Sequence, residues 1–199
     1  MTYRTTPYYE LPWFDSDPSP QVVRAVDEGF LKPGTAVLDI GCGAGSNVLF
    51  LARRGFEAHG IDLSPDAVAA AKDRARAKAL SVDVRVGDAL AIDAADSRFA
   101  GAIDNGCFHG LPVRRRTEYS REVARIVRPG GAFVLSWIGR EEERERGPPH
   151  RPSLGEVTRA FEDRFLFART TFHSAEERGG AAVYDAWLVR RTKPQPPPR

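Results

Sequence analysis

"VLDIGCGAG", residues 37–45, is a run of β-formers that ends in an acid and then breaks into three glycines spaced two residues apart. A short, continuously apolar run bounded by turn residues is the pattern of a buried parallel strand. Gly41, Gly43 and Gly45 then supply a turn whose backbone can take positive φ and approach a ligand closely. "SNVLFLARRG" follows as a helix stopped by Gly55. In an open parallel sheet, ligands bind beyond the carboxyl ends of the strands, where the winding reverses. The turn at 41–45 lies at such an end.

The same rhythm continues on both sides of this stretch. Upstream, "SPQVVRAVDEGFL" reads as a helix, with Ser19 as candidate cap, Pro20 in the first turn, and Val22, Val23, Val26 and Phe30 on one face. Downstream, "EAHGID" is a second strand, Ser64 and Pro65 open the helix "DAVAAAKDRARAKAL", and "VDVRVGD" and "FAGAIDNG" are the third and fourth strands. "RRRTEYSREVARIVRPGG" is a helix ended by Pro and Gly, and "AFVLSWI" is the fifth strand. Alternating strands and helices predict a mostly parallel sheet covered on both faces. After a charged, Pro-rich loop at 140–152, "SLGEVTRAFE" is a short helix with the capping-box spacing Ser153 to Glu156. "RFLFARTTFH" and "AAVYDAWLVRRT", joined by "SAEERGG", read as an antiparallel hairpin that closes the sheet. Residues 1–18 form an N-terminal arm, 19–192 the single domain, and the Pro-rich 193–199 a disordered tail.

Composition narrows the partners. The chain has 199 residues with a formal net charge of +2, too balanced to argue for nucleic acid or a membrane surface. No apolar run approaches a membrane span, and the N-terminus has no signal-peptide pattern, so the expectation is a cytosolic protein. Two cysteines make no disulfide framework, and four scattered histidines show no metal-ligand spacing, so no metal is expected.

The glycine turn admits two ligand classes. A dinucleotide fingerprint needs its third glycine one residue later, where Ser46 stands, and the lysine of a phosphate loop is absent. The alternative is a nucleoside without phosphates. Asp62, at the end of the second strand, is placed to accept from ribose hydroxyls. Asp88, after the third, is placed to accept from an adenine amino group while the Ala89 N–H donates to the ring. Each acid alone is more often a turn or cap residue; two at successive strand ends after a glycine turn reverse that balance in favour of the nucleoside.

"VLDIGCGAG", "GIDLSPDAV", "GDAL" and "IVRPGG", in this order, resemble the class I S-adenosylmethionine-dependent methyltransferases. The resemblance covers residues 20–190. It implies a Rossmann-like, doubly wound sheet of seven strands in the order 3-2-1-4-5-7-6, the last antiparallel. It also implies that Gly41, Cys42 and Gly43 line the methionine and ribose portion, with Asp62 and Leu63 at the ribose. Asp88 and Ala89 would hold the adenine, and Asp39 the amino group, directly or through water. In a positional reading of the stretch after the fourth strand, Asn105 and the backbone hold the sulfonium and its amino-acid tail.

"DNGCFHGLP", 104–112, ends the fourth strand and in this fold faces the transferred methyl. Asp104 or His109 is a candidate base; the alternatives are a positioning role, or a structural one in which Cys107 and Phe108 are core. "PWFDSDPSPQVVRAVDEG", "GPPHRPSLGEVTRAFED" and "IDNGCFHGLP" resemble the small-molecule thiol, thiopurine and halide branch, including tellurite-resistance-like proteins. In that branch a tryptophan before the first helix covers the cofactor, here Trp13, which reads equally as a staple for the arm. Residues 1–18 and the loop after Trp137 would be lids. "VRRR", 113–116, is a candidate for an acidic substrate group or a solvated helix start. The leading expectation is methyl transfer to a small thiol or other soft nucleophile, by a monomer or homodimer. O- or N-methylation of a secondary metabolite and a non-catalytic S-adenosylmethionine-binding protein are the alternatives.

Overall fold

Val37, Leu38 and Ile40 make the first strand, β1 (Ala36–Ile40), the middle of the molecule, because apolar side chains on both of its faces need covering. All five of its residues are buried. β2 (Glu57–Asp62) pairs with it in parallel through Val37 and Ala58, and β4 (Phe99–Asn105) does so on the other side through Val37 and Gly101. β3 (Asp83–Val86) extends the sheet beyond β2. β5 (Val127–Ile138) extends it beyond β4. β7 (Val183–Arg190) runs antiparallel between β5 and the edge strand β6 (Phe165–His173), completing the order 3-2-1-4-5-7-6 expected from the sequence. The computed structural model describes residues 6–11, 14–139, 151–174 and 182–192; Trp13, most of the loop after Trp137, most of the hairpin turn and the Pro-rich tail lie outside them.

Five helices cover the two faces. α1 (Pro20–Asp27), α2 (Ser46–Arg53) and α3 (Pro65–Ala77) lie on one, where Val22, Val26, Val48, Leu51, Val68 and Ala71 pack against Val37 and Val134. α4 (Arg116–Ile126) and α5 (Leu154–Phe161) lie on the other. There Phe161 sits among Phe108, Tyr119, Phe133 and Phe165, with ring centroids 5.4–6.3 Å apart. α5 opens with the predicted capping box: Ser153 accepts from the Glu156 N–H, and the Glu156 carboxylate accepts from the Ser153 N–H. Ser64 caps α3 through the Ala67 N–H.

Two local expectations change. Ser19 makes no side-chain cap; its own N–H donates to Asn47 Oδ1 at 2.8 Å, which ties the start of α1 to α2. The helix expected to run to the Pro-Gly-Gly ends earlier, at Ile126, and Val127 already pairs with Phe99 before the register shifts to Gly101 and Ala132. The glycines serve that irregular crossing: Gly130 has φ +76°, and a Cβ on Gly131 would come within 2.8 Å of the Ala100 carbonyl.

Truncating Phe161 leaves a cavity among four aromatic rings, so Phe161→Ala lowers the unfolding free energy by about 3–5 kcal/mol. Urea titration followed by tryptophan fluorescence checks this; a loss below about 1 kcal/mol would place Phe161 outside the core.

Candidate active site

The carboxyl ends of β1, β2, β4 and β5 and the turns that follow them surround a cavity of about 720 Å³. Gly41 is held at its floor with φ +72°, and a Cβ there would meet Cys107 Cβ at 2.7 Å, so only glycine lets the two turns pack this closely. Asp62 ties this turn to the next. One carboxylate oxygen accepts from the Gly43 N–H and the other from the Ser64 N–H, both at 2.9 Å. Each oxygen keeps a lone pair, and Asp62 stands in the cavity wall.

Gly41, Cys42 and Gly43 line the cavity, as do Leu63, Asp88 and Ala89. Leu63 is 70% exposed and forms the rim. Asp88 Oδ1 accepts from the Leu90 N–H at 2.9 Å, which shapes the turn after β3. Asn105 and His109 line the wall beyond β4, and Asn105 is anchored by Gln21 Nε2 of α1 at 2.7 Å. Asp39 and Asp104 do not reach the surface of the cavity; both are buried behind it, at 2% and 1% exposure.

Asp104 thereby has a task other than the expected base. Its carboxylate accepts from the Cys107 N–H at 2.8 Å, the Phe108 N–H at 3.0 Å and the Tyr119 hydroxyl. It folds the 106–109 turn and fastens it to α4. Burial raises its pKa to about 6, against the opposing pull of those donors. Asp39 is also pushed well up, first by burial and then by the charges of Asp104 and Asp62, and its Oδ2 has no hydrogen-bond partner among the described residues. Burial also raises the thiols of Cys42 and Cys107, which keeps both protonated and unreactive.

His109 is fixed by the end of the sheet. Gly106 N–H donates to Ser136 O as the last rung between β4 and β5. Two residues on, the Ile138 N–H points to the same side, where β4 has ended, and His109 Nδ1 accepts it at 3.2 Å. Burial lowers the pKa of His109, helped by the charges of Arg116 and Arg151.

Three features take their roles only from the fold. Arg74, in the Ala-rich α3, donates to Ala44 O at 2.6 Å and Ser46 Oγ at 3.0 Å in the glycine turn, and to Ser16 O of the arm at 3.2 Å. Its guanidinium also lies over the rings of Phe14 and Tyr8, so it straps the arm across the site. The "VRRR" cluster divides: Arg115 pairs with Glu118 in the same turn, while Arg116 is buried over the Phe108 ring, 3.7 Å from Glu156. Gln21 reads from sequence as an ordinary helix residue, yet it is buried and positions Asn105.

The fit to a nucleoside with a cationic side chain is electrostatic. Asp15, Asp17, Asp62 and Asp88 line the cavity, Asp39 lies behind it, and among the described residues no Lys or Arg is in its wall. A pyrophosphate would meet only acids there; an ammonium and a sulfonium meet compensating charge. Among the described residues no group of three or more His, Cys, Asp or Glu could hold a metal ion, and no helix is long and apolar enough to cross a membrane.

A seven-stranded sheet of this order is the Rossmann-like fold that the chain shares with solved methyltransferase structures. Residues 37–131 match the family model described as "Methyltransferase domain". Over 125 residues the chain is 34% identical to the 2-heptyl-1-hydroxyquinolin-4(1H)-one methyltransferase of Mycobacteroides abscessus, covering 62% of this chain and 54% of that protein. Over 148 residues it is 31% identical to the demethylmenaquinone methyltransferase of Thermus thermophilus, covering 72% and 61%. The chain thus spans only about half the length of the first of these relatives. Among solved structures, one described as "Conversion of a Disulfide Bond into a Thioacetal Group during Echinomycin Biosynthesis" superposes with a TM-score of 0.81 at 25% identity, covering 95% of this chain and 88% of that one.

The raised pKa of Asp104 has a sign that can be measured. A carboxyl whose folded pKa lies above its unfolded value contributes stability that is fully present below the unfolded value near 3.8 and is lost as the pH rises through about 6. Carboxylates with lowered pKa slope the other way, so the difference between the wild type and Asp104→Asn isolates this group. The wild type loses about 3 kcal/mol more than the variant between pH 4 and 7 in urea unfolding. Parallel curves would show that folding does not raise the pKa of Asp104.

Proposed function

We propose that the protein transfers a methyl group from S-adenosylmethionine to a small molecule. The observation that carries this reading is the acid-lined cavity at the glycine turn, with Asp62 and Asp88 at successive strand ends and no Lys or Arg among its described lining residues. When bound, the cofactor supplies a methyl group on a positively charged sulfur. Asp62 would hold the ribose hydroxyls, Asp88 and the Ala89 N–H the adenine edge, and the Gly41–Gly43 backbone the amino-acid portion. Asn105, held by Gln21, would stand beside the reacting sulfur. Asp39, behind the turn, would be drawn toward its ionised form as the cationic ligand enters.

For the acceptor, the cavity continues past His109 to Leu111, Trp137, Ile138 and Val183, with Phe14 of the arm on the opposite wall. This apolar end suits a flat, largely apolar acceptor with one nucleophilic atom. Relatives named for a hydroxyquinolinone and a demethylmenaquinone support an acceptor of that kind. We therefore place O-methylation of a hydroxylated ring first. The second reading, a sulfur acceptor as in the thiol, thiopurine and halide branch, is favoured by the neighbour whose description names a disulfide converted to a thioacetal. Methyl transfer needs alignment and exclusion of water more than acid-base chemistry, and the arm strapped by Arg74 would serve both ends.

Release of S-adenosylhomocysteine over a panel of hydroxylated rings, small thiols, iodide and amines tests the reading. Turnover on hydroxylated rings is expected; turnover confined to thiols or iodide would establish the second reading. Silence on every acceptor, with the product still bound, would make the protein a binding protein. Asp62→Ala should weaken S-adenosylhomocysteine binding about 10- to 100-fold in calorimetry, the scale of hydrogen bonds to a charged group. Unchanged affinity in a folded variant would overturn the ribose assignment.

A further inference from the structure

His109 carries a second deduction, which rests on the methyl-transfer reading. A backbone N–H can only donate, so the Ile138 N–H at 3.2 Å fixes Nδ1 as the acceptor and leaves the ring proton on Nε2. A neutral imidazole in that tautomer has no lone pair left with which to take a proton. We propose that His109 binds the acceptor as a hydrogen-bond donor through Nε2–H, and that the site takes an acceptor that arrives already ionised: an acidic hydroxyl or thiol, not one deprotonated by the protein.

The surroundings of His109 agree. Asp104, at the end of β4, is occupied by Cys107, Phe108 and Tyr119. The Cys107 thiol is kept protonated by burial. Asp62 and Asp88 stand at the strand ends assigned to the nucleoside. Asp15 and Asp17 are on the arm near the start of α2, where Asp15 O accepts from Ser46. From the far side, Arg116 at the start of α4 and Arg151 before α5 both act on His109, with Glu156 of α5 beside Arg116. β5 adds no ionisable side chain next to it, only Ser136, Trp137 and Ile138. The acids line the nucleoside end of the cavity, while Arg116 and Arg151 stand outside its wall and act on His109 from behind, an arrangement that favours an anion at His109 beside a cationic sulfur.

The transfer balances without a protein base. The acceptor loses its proton to solvent before it binds. Its lone pair forms the bond to the methyl carbon as the carbon–sulfur bond breaks, and that electron pair returns to sulfur. The donor bond from His109 holds the ionised atom in line and lowers the pH at which it ionises.

His109→Gln separates donor from base, because a glutamine keeps one acceptor for Ile138 and one N–H for the ligand but cannot take a proton. With S-adenosylhomocysteine bound, 4-nitrophenol is titrated by the visible absorbance of its anion. The ionisation midpoint should fall by about one pH unit in the wild type and in His109→Gln, the scale of a hydrogen bond to a charged group, and stay near the free value in His109→Ala. Across phenols and thiophenols of graded acidity, the acid limb of turnover should follow each acceptor's own pKa. A limb fixed at one pH for all acceptors and lost in His109→Gln would overturn the proposal in favour of a base. Failure of the probe to bind or to shift would overturn it too. Calorimetry with S-adenosylhomocysteine on each variant keeps the readings apart: a wild type that does not bind it ends the methyl-transfer reading itself.

Discussion

Asp62 holds the site together through two backbone hydrogen bonds. By accepting from Gly43 and Ser64 at once, it locks the turn after β1 to the turn after β2. A parallel sheet sets its strands side by side but leaves the turns at their ends free to wander. A single carboxylate between two such turns removes that freedom and still offers lone pairs to a ligand. The same device recurs one strand over, where Asp104 gathers the 106–109 turn and Tyr119 of α4. The two acids differ in burial, and that difference sorts their roles. The one in the wall can touch a ligand, while the one behind it can only shape the wall.

These two acids and a third, Asp39, stand close together at a cavity with no Lys or Arg among its described lining residues. Such a cluster is unfavourable by itself, and the pKa of Asp39 rises in response. The strain is relieved by whatever positive charge enters above it. A sulfonium, the charge carried by the proposed cofactor, would relieve it in this way.

The fold and the nucleoside half of the site were legible because they are written in local patterns. Apolar runs ended by Asp39, Asp62 and Asp88 mark strand ends, and glycines at 41, 43 and 45 mark the turn. The acceptor half was legible in position but not in role. Whether Asp104 is a base or a clamp depends on where Tyr119 lands from a different helix. The tautomer of His109 depends on β4 ending before β5, a difference in strand length that no side chain announces. Arg74 looked like one of several basic residues on an exposed helix, and only the return of the arm makes it a strap. The buried Arg116 was hidden among three consecutive arginines for the same reason: the partner that buries it, Phe108, comes from another element. Trp13 and the loop at 140–150 were read as lids and lie outside the described residues.

The place of β7 has a consequence for the order in which the molecule can assemble. β6 touches no strand but β7, and β5 meets β7 on the side away from β4. Until residues 183–190 have left the ribosome, β6 has nothing to pair with and β5 is an open edge. The sheet therefore cannot grow outward strand by strand in the sequence in which they are synthesised; its last strand must slide into a gap between two earlier ones. Val183, which begins that strand, is part of the cavity wall. The acceptor end of the site is thus sealed by the final step of folding, and a nascent chain has its glycine turn in hand well before it has a finished pocket.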